Sequence, residues 1–156
     1  MRRALLSLAA VAATAAFASP ALANEARVEA RGGVVFGGGV DDEAIAGIAA
    51  GYDYDLGKNG FIGLEVSGDK ILTSGTKVSF GASVRAGAKV ADATKIYAIG
   101  GYNTEFVDDF GGQWSAGAGL QQDIGSRLYA KVEYRHAFID DFNDSDVVVG
   151  GLGVRF

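Results

Sequence analysis

The sequence predicts an all-β fold: eight antiparallel strands in an up-and-down meander, closed into a barrel that crosses a membrane. Three observations carry this. Long segments alternate apolar and polar residues with a period of two. The connections between them are tight and longer in turn. Glycine is abundant, with 24 residues, and many fall on the polar side of the alternation.

Residues 1–23 are read as a secretory signal peptide. Arg2 and Arg3 form a positive start, Ala4 to Phe17 is apolar, and Ala21-Leu22-Ala23 follows Pro20 as a cleavage site. Cleavage after Ala23, with export through the Sec pathway, leaves residues 24–156 as one barrel domain. Loss of the two arginines leaves 12 basic against 19 acidic residues, a net charge of −7. That balance argues against nucleic acid as a partner. The chain has no cysteine, so neither disulfides nor a thiolate metal site stabilises it.

The strands follow in order. The clearest is 77–90, KVSFGASVRAGAKV. Its even positions, from Val78 to Val90, are all apolar, and its odd positions are Lys, Ser, Gly and Arg throughout. A helix would mix the two sets on every face, so the segment is a strand. RLYAKVEYRHAF, 127–138, repeats the pattern. Weaker alternation marks 26–37, 44–56, 60–69, 95–106, 113–124 and 146–156. Each segment is about long enough to cross a bilayer when tilted. Tight connections fall at Gly57–Asn59, Ala91–Thr94 and Gly125–Ser126. Longer, more acidic ones fall at Gly38–Glu43, Lys70–Gly75, Val107–Gly111 and Ile139–Ser145. This is the rhythm of successive hairpins, with turns at one end and loops at the other.

Alternation does not say which face meets lipid. A soluble barrel would bury the apolar face inside. Here the polar face carries Gly81, Gly87, Gly117, Gly119, Gly151 and Gly153 beside charged residues. An eight-stranded barrel has an interior only wide enough for side chains, and glycine makes room for them there. On a solvent face it would only weaken the strand. Aromatic residues also gather near strand ends: Phe106, Trp114, His136 and Phe138 at the loop end, Tyr54 and Phe156 at the turn end. Two such girdles mark two membrane interfaces.

With its leader, eight alternating strands and a last strand of Val148, Gly150, Leu152, Val154 and Phe156, the chain resembles the small bacterial outer-membrane barrels. These include the OmpA transmembrane domain, OmpX and the opacity-type proteins. The resemblance covers the whole mature segment. It implies a location in the outer membrane, lipid as the main partner, and a monomer. It also implies that the barrel-assembly machinery reads Val148, Leu152, Val154 and Phe156 as an insertion signal. No peptidoglycan-binding segment like that of OmpA follows the last strand, so no cell-wall tether is expected. The loops are far shorter than those of opacity adhesins. Deletion of Phe156 is expected to lower outer-membrane levels in cells while refolding into detergent survives. Normal cellular insertion of that variant would refute the signal.

The residues do not point to an enzyme. The single histidine, His136, falls on the lipid-facing parity beside Tyr134, with no serine next to it. Asp140, Asp141, Asn143, Asp144 and Asp146 lack the glycine and the closing glutamate of a calcium loop, so no metal is expected. GGVVFGGG, 32–39, lacks the Lys-Ser/Thr pair of a phosphate loop and reads as strand and turn. No cofactor and no dedicated small-molecule substrate are indicated. The expected role is non-enzymatic, structural or at the surface. A passive small-solute channel and an adhesion protein acting through short acidic loops are the alternatives.

By parity Glu65, Arg85, Lys131, Glu133 and Arg135 point inward. Opposite charges in so narrow a space should pair. Arg85 and Arg135 are expected to bridge Glu65 and Glu133, with Lys131 below. The resemblance implies that such a network plugs the lumen. Val84 and Val132 are expected to face lipid, so that arginine at either costs more than arginine at Ser83.

Overall fold

In the computed structural model, residues 24–37, 42–106, 112–138 and 144–156 are described. They form eight strands: β1 (Glu25–Gly37), β2 (Glu43–Leu56), β3 (Gly60–Ile71), β4 (Val78–Ala91), β5 (Thr94–Asn103), β6 (Gln113–Ile124), β7 (Leu128–Phe138) and β8 (Ser145–Arg155). Each strand pairs antiparallel with the next, and β8 pairs back with β1, so the sheet closes as a barrel. Closure leaves no edge, which satisfies the ladder hydrogen bonds without water.

One rule organises the side chains. In all eight ladders odd residues oppose odd and even oppose even, as in Glu29↔Ala49, Arg85↔Ile99 and Lys131↔Gly151. The exception is Ala91↔Thr94, past a bulge at the β4–β5 turn. A single parity therefore faces inward around the whole barrel. Odd positions hold the buried charges, including Arg27, Glu65, Arg85 and Glu133, and even positions hold the exposed apolar residues, including Leu64, Val84, Val132 and Leu152. The pattern is inverted: charge fills the inside and hydrocarbon covers most of the outside. Only a lipid surround makes that arrangement favourable.

The ends match the expected rhythm. Gly57 and Gly125 open two of the tight turns at φ +73° and +75°, where side-chain-bearing residues are strained. Residues 72–77 join β3 to β4 at the opposite end. The other three connections at that end fall partly outside the described residues, including Asp140, Asp141 and Asn143 of the acidic loop.

One strand is shorter than expected. β5 ends at Asn103, not at residue 106. The Thr104 hydroxyl accepts the Phe80 N–H (2.9 Å), and the Ser79 hydroxyl donates to the Thr104 carbonyl (2.5 Å). The Thr104 N–H still donates to the Phe80 carbonyl (2.8 Å), but side chains take the return bond and the ladder goes no further. Phe106 is therefore not on a strand's lipid face. It lies half-buried beyond β5, its carbonyl accepting the Lys77 N–H (2.7 Å).

Candidate functional site

The lumen is filled by ion pairs. Among the described residues eleven charged side chains are buried: Arg27, Arg31, Arg85, Lys95, Lys131 and Arg135 against Glu29, Asp53, Glu65, Asp69 and Glu133. The near balance of six and five explains how so much charge is tolerated, since each buried ion needs a partner.

Glu65 on β3 is the hub. Its Oε1 accepts from Arg31 (3.0 Å) and Arg135 (2.9 Å). Its Oε2 accepts from Arg27 (2.8 Å) and Lys131 (3.3 Å). Four cations from β1 and β7 thus converge on one carboxylate from the far wall. Glu133 accepts from Arg135 (2.7 Å), Lys131 (2.7 Å) and the Tyr97 hydroxyl (2.7 Å). Glu29 lies 2.6 Å from Lys131 and accepts the Tyr129 hydroxyl (2.7 Å). Toward the loops, Arg31 also grips Asp69 with two donors.

A second layer lies toward the turns. Arg85 donates through two nitrogens to Asp53, and Nη2 also reaches Gln121 (3.2 Å). Its guanidinium lies over the rings of Tyr97 (4.7 Å) and Phe61 (5.3 Å). Lys95 joins Asp53 to Glu25, and Arg155 joins Glu25 to Asp123.

The structure therefore brings Glu65, Lys131, Glu133 and Arg135 into one cluster and sets Arg85 apart from it. Arg85 bridges neither glutamate. Its partner is Asp53, two strands away around the wall, because β2–β3 and β3–β4 register places both beside Gly63. Arg27, Glu29, Arg31, Asp53, Asp69 and Lys95 were not among the expected network. All sit at odd positions, so the parity of the clear strands would have found them. In double-mutant cycles Arg85–Asp53 coupling is expected to exceed Arg85–Glu133 coupling, which passes only through intermediaries: Tyr97 on one side, and Asp53, Arg27 and Glu65 on the other. The reverse order would contradict the two-layer arrangement.

The glycines explain the fit. Large inward side chains stand directly opposite glycine on a neighbouring strand: Arg27↔Gly51, Arg85↔Gly63, Tyr97↔Gly119, Tyr129↔Gly153 and Lys131↔Gly151. A Cβ on Gly119 would lie 2.5 Å from the Tyr97 ring, and one on Gly51 2.5 Å from Arg27 Nη2. Each glycine is the space its neighbour occupies.

The outward face carries the aromatic residues. Trp114 and Phe138 are exposed near the loop end, and Tyr102 packs edge-on against Trp114 (5.2 Å). Tyr54 and Phe156 are exposed near the turn end. Val148, Leu152 and Val154 all point outward on β8, and Phe156 continues its pairing with β1 through Ala26 (2.9 Å). His136 is outward too, but not alone: Nδ1 meets Asp146 (2.9 Å) and Nε2 meets Asp144 (3.3 Å).

A barrel with this inverted surface has known counterparts. Residues 9–156 match the family model of the outer membrane protein β-barrel domain. The chain belongs to that family. No curated protein matches the sequence significantly. Among solved structures, a de novo designed transmembrane β-barrel is 19% identical with a TM-score of 0.55, over 85% of this chain and 95% of that one. Neisserial surface protein A is 13% identical with a TM-score of 0.54, over 85% and 97%. Ail, the attachment invasion locus protein of Yersinia pestis, is 17% identical with a TM-score of 0.52, over 85% and 97%. At these identities the likeness is one of fold. This outer-membrane barrel thus shares the architecture, and its lumen must be judged on its own residues.

Proposed function

We propose that this outer-membrane barrel is a closed, non-enzymatic structural or surface protein that does not conduct solutes. The observation that carries this reading is Glu65, at most 2% exposed, with cations from β1 and β7 on both oxygens. The pairs cross the lumen and leave its middle occupied by side chains. The second layer around Asp53 and Arg85 lies in series with the first. A solute would have to break both, and a single loss would leave the other in place.

The reading includes export. Residues 1–23 serve as a cleaved leader, so the outer-membrane protein should begin at Asn24. No serine or threonine hydroxyl is hydrogen-bonded to a base among the described lumen residues, and the imidazole of His136 faces outward between two carboxylates. A hydrolytic role has no support in that arrangement.

Planar-bilayer recording tests closure. The intact barrel is expected to show no stepwise conductance. Glu65→Gln alone should leave the Asp53–Arg85 layer closed, and joint loss of Glu65 and Asp53 should admit small ions. Open steps from the unaltered protein would favour the solute-channel alternative.

A further inference from the structure

Among the described strands, seven of the eight ladders join neighbours in the chain, so a hairpin backs each of them. The β8–β1 ladder joins the two ends of the barrel and has no connection behind it. It is the one ladder that can part without stretching a turn or a loop. Its side chains also pack thinly at mid-depth. Gly32 and Gly150 stand opposite each other on the outward face, the one pair of directly opposed glycines among the described residues of the ladders. A Cβ on Gly32 would lie 3.5 Å from the Ile45 carbonyl oxygen, and one on Gly150 3.9 Å from that of Gly32. Both are ordinary contacts, so packing does not require glycine at either position. Two glycines there remove a cross-strand pair and weaken the ladder. The side-chain bridge made directly between the two strands, Arg155 to Glu25 (3.1 Å), lies at the turn end.

The lumen network spans this seam from inside. Glu29 of β1 reaches past β8 to Lys131 (2.6 Å) and Tyr129 (2.7 Å) of β7. On β8, Gly151 lies opposite both Arg31 and Lys131, and Gly153 lies opposite both Glu29 and Tyr129. A Cβ on Gly153 would lie 2.5 Å from the Tyr129 ring. The two glycines thus let the neighbours of β8 meet across it. Farther in, Arg27 and Arg31 of β1 and Lys131 and Arg135 of β7 all donate to Glu65 on the opposite wall. The strands on either side of β8 are held to one carboxylate.

We propose that the β8–β1 seam is the opening line of the barrel wall, and that the ion pairs of Glu29 and Glu65 are the latch that holds it shut. The latch joins distant parts of the chain: Tyr129 and Glu29 are 100 residues apart. It engages only when β1 has come round to β8, so closing the wall and neutralising the lumen charges are one event. With the seam open, β1 and β8 present unpaired edges that lipid cannot satisfy. The latch acts on the wall and not on the axial path, so it holds whether or not the lumen conducts.

Hydrogen exchange of the whole barrel in phospholipid nanodiscs, read residue by residue by NMR, tests this. In Glu65→Gln the amides bonded across the β8–β1 ladder should exchange about tenfold faster or more. Amides bonded across β2–β3 and β3–β4 should change less, although the altered residue is on β3. Tyr129→Phe removes one bond of the latch and leaves Glu65 in place. It should give a smaller rise confined to the seam, and it decides alone where Glu65→Gln does not refold. Gly150→Ala, which adds a methyl where there is room, should slow the seam again in either background. Three results would each overturn the latch: an even rise around the barrel, a rise greatest in the ladders beside residue 65, or no change at the seam in Tyr129→Phe.

Discussion

Glu65→Gln is expected to destabilise the barrel by about 3–5 kcal/mol, more than any other single loss in the central cluster. The substitution keeps the shape of the side chain and removes its charge. Arg27, Arg31, Lys131 and Arg135 all hydrogen-bond that carboxylate. With a neutral amide in its place four cations face one another, and the amide nitrogen adds a donor where only donors approach. Neighbouring acids relieve part of this: Arg31 keeps Asp69, and Arg135 and Lys131 keep Glu133. Arg27 keeps only longer contacts, at 3.8 Å to Glu29 and 3.6 Å to Asp53. Asp69→Asn should therefore cost less, because Arg31 retains Glu65. Asp53→Asn should cost nearly as much as Glu65→Gln, because Arg85 then has no anionic partner, only neutral amide oxygens and the two aromatic rings. Urea titration of the barrel refolded into vesicles gives the ranking. A loss at Glu65 below about 1 kcal/mol would show that these charges are separately hydrated and contribute like surface pairs.

The fold was legible because the barrel obeys parity. Once 77–90 and 127–138 place odd residues on the polar face, even register sums carry the same assignment around every ladder. Parity gives the face and not the height. Height depends on the stagger between neighbouring strands, and that stagger decides that Arg85 lies level with Asp53 and below Glu133. The missed residues had a different cause. On β1 the outward positions include Ala26, Ala30 and Gly32, which contrast weakly with Arg27, Glu29 and Arg31, so the inward charges did not announce a face. On β2, Asp53 lies between Tyr52 and Tyr54, and the two outward aromatics mask the inward carboxylate in the sequence pattern. The glycine pairing was visible only as abundance, because seeing that each glycine faces a large side chain requires the register. Asp146 closes the acidic run of 140–146 in sequence, yet its even number places it outward beside His136.

Arginine at Val84 or Val132 is expected to cost about 2–4 kcal/mol, and arginine at Val154 about 0–1 kcal/mol. All three valines face outward. Val84 and Val132 lie near the middle of β4 and β7, whereas Val154 is the second-last residue of β8 at the turn end. At mid-depth the guanidinium has no water within reach and must thin the bilayer or snorkel along the strand. At Val154 it reaches the headgroups directly. Ser83 does not supply the mild comparison that its inward parity suggests. Its hydroxyl already accepts from Arg135 (3.2 Å), so a new cation there would meet an existing one. Depth, not face, is therefore the clean variable, and the three valines sample it with the residue type held constant. Unfolding of each variant from lipid vesicles gives the profile. Equal costs at Val132 and Val154 would mean that even positions do not lie along a hydrocarbon gradient, and the membrane orientation derived from the inverted surface would be wrong.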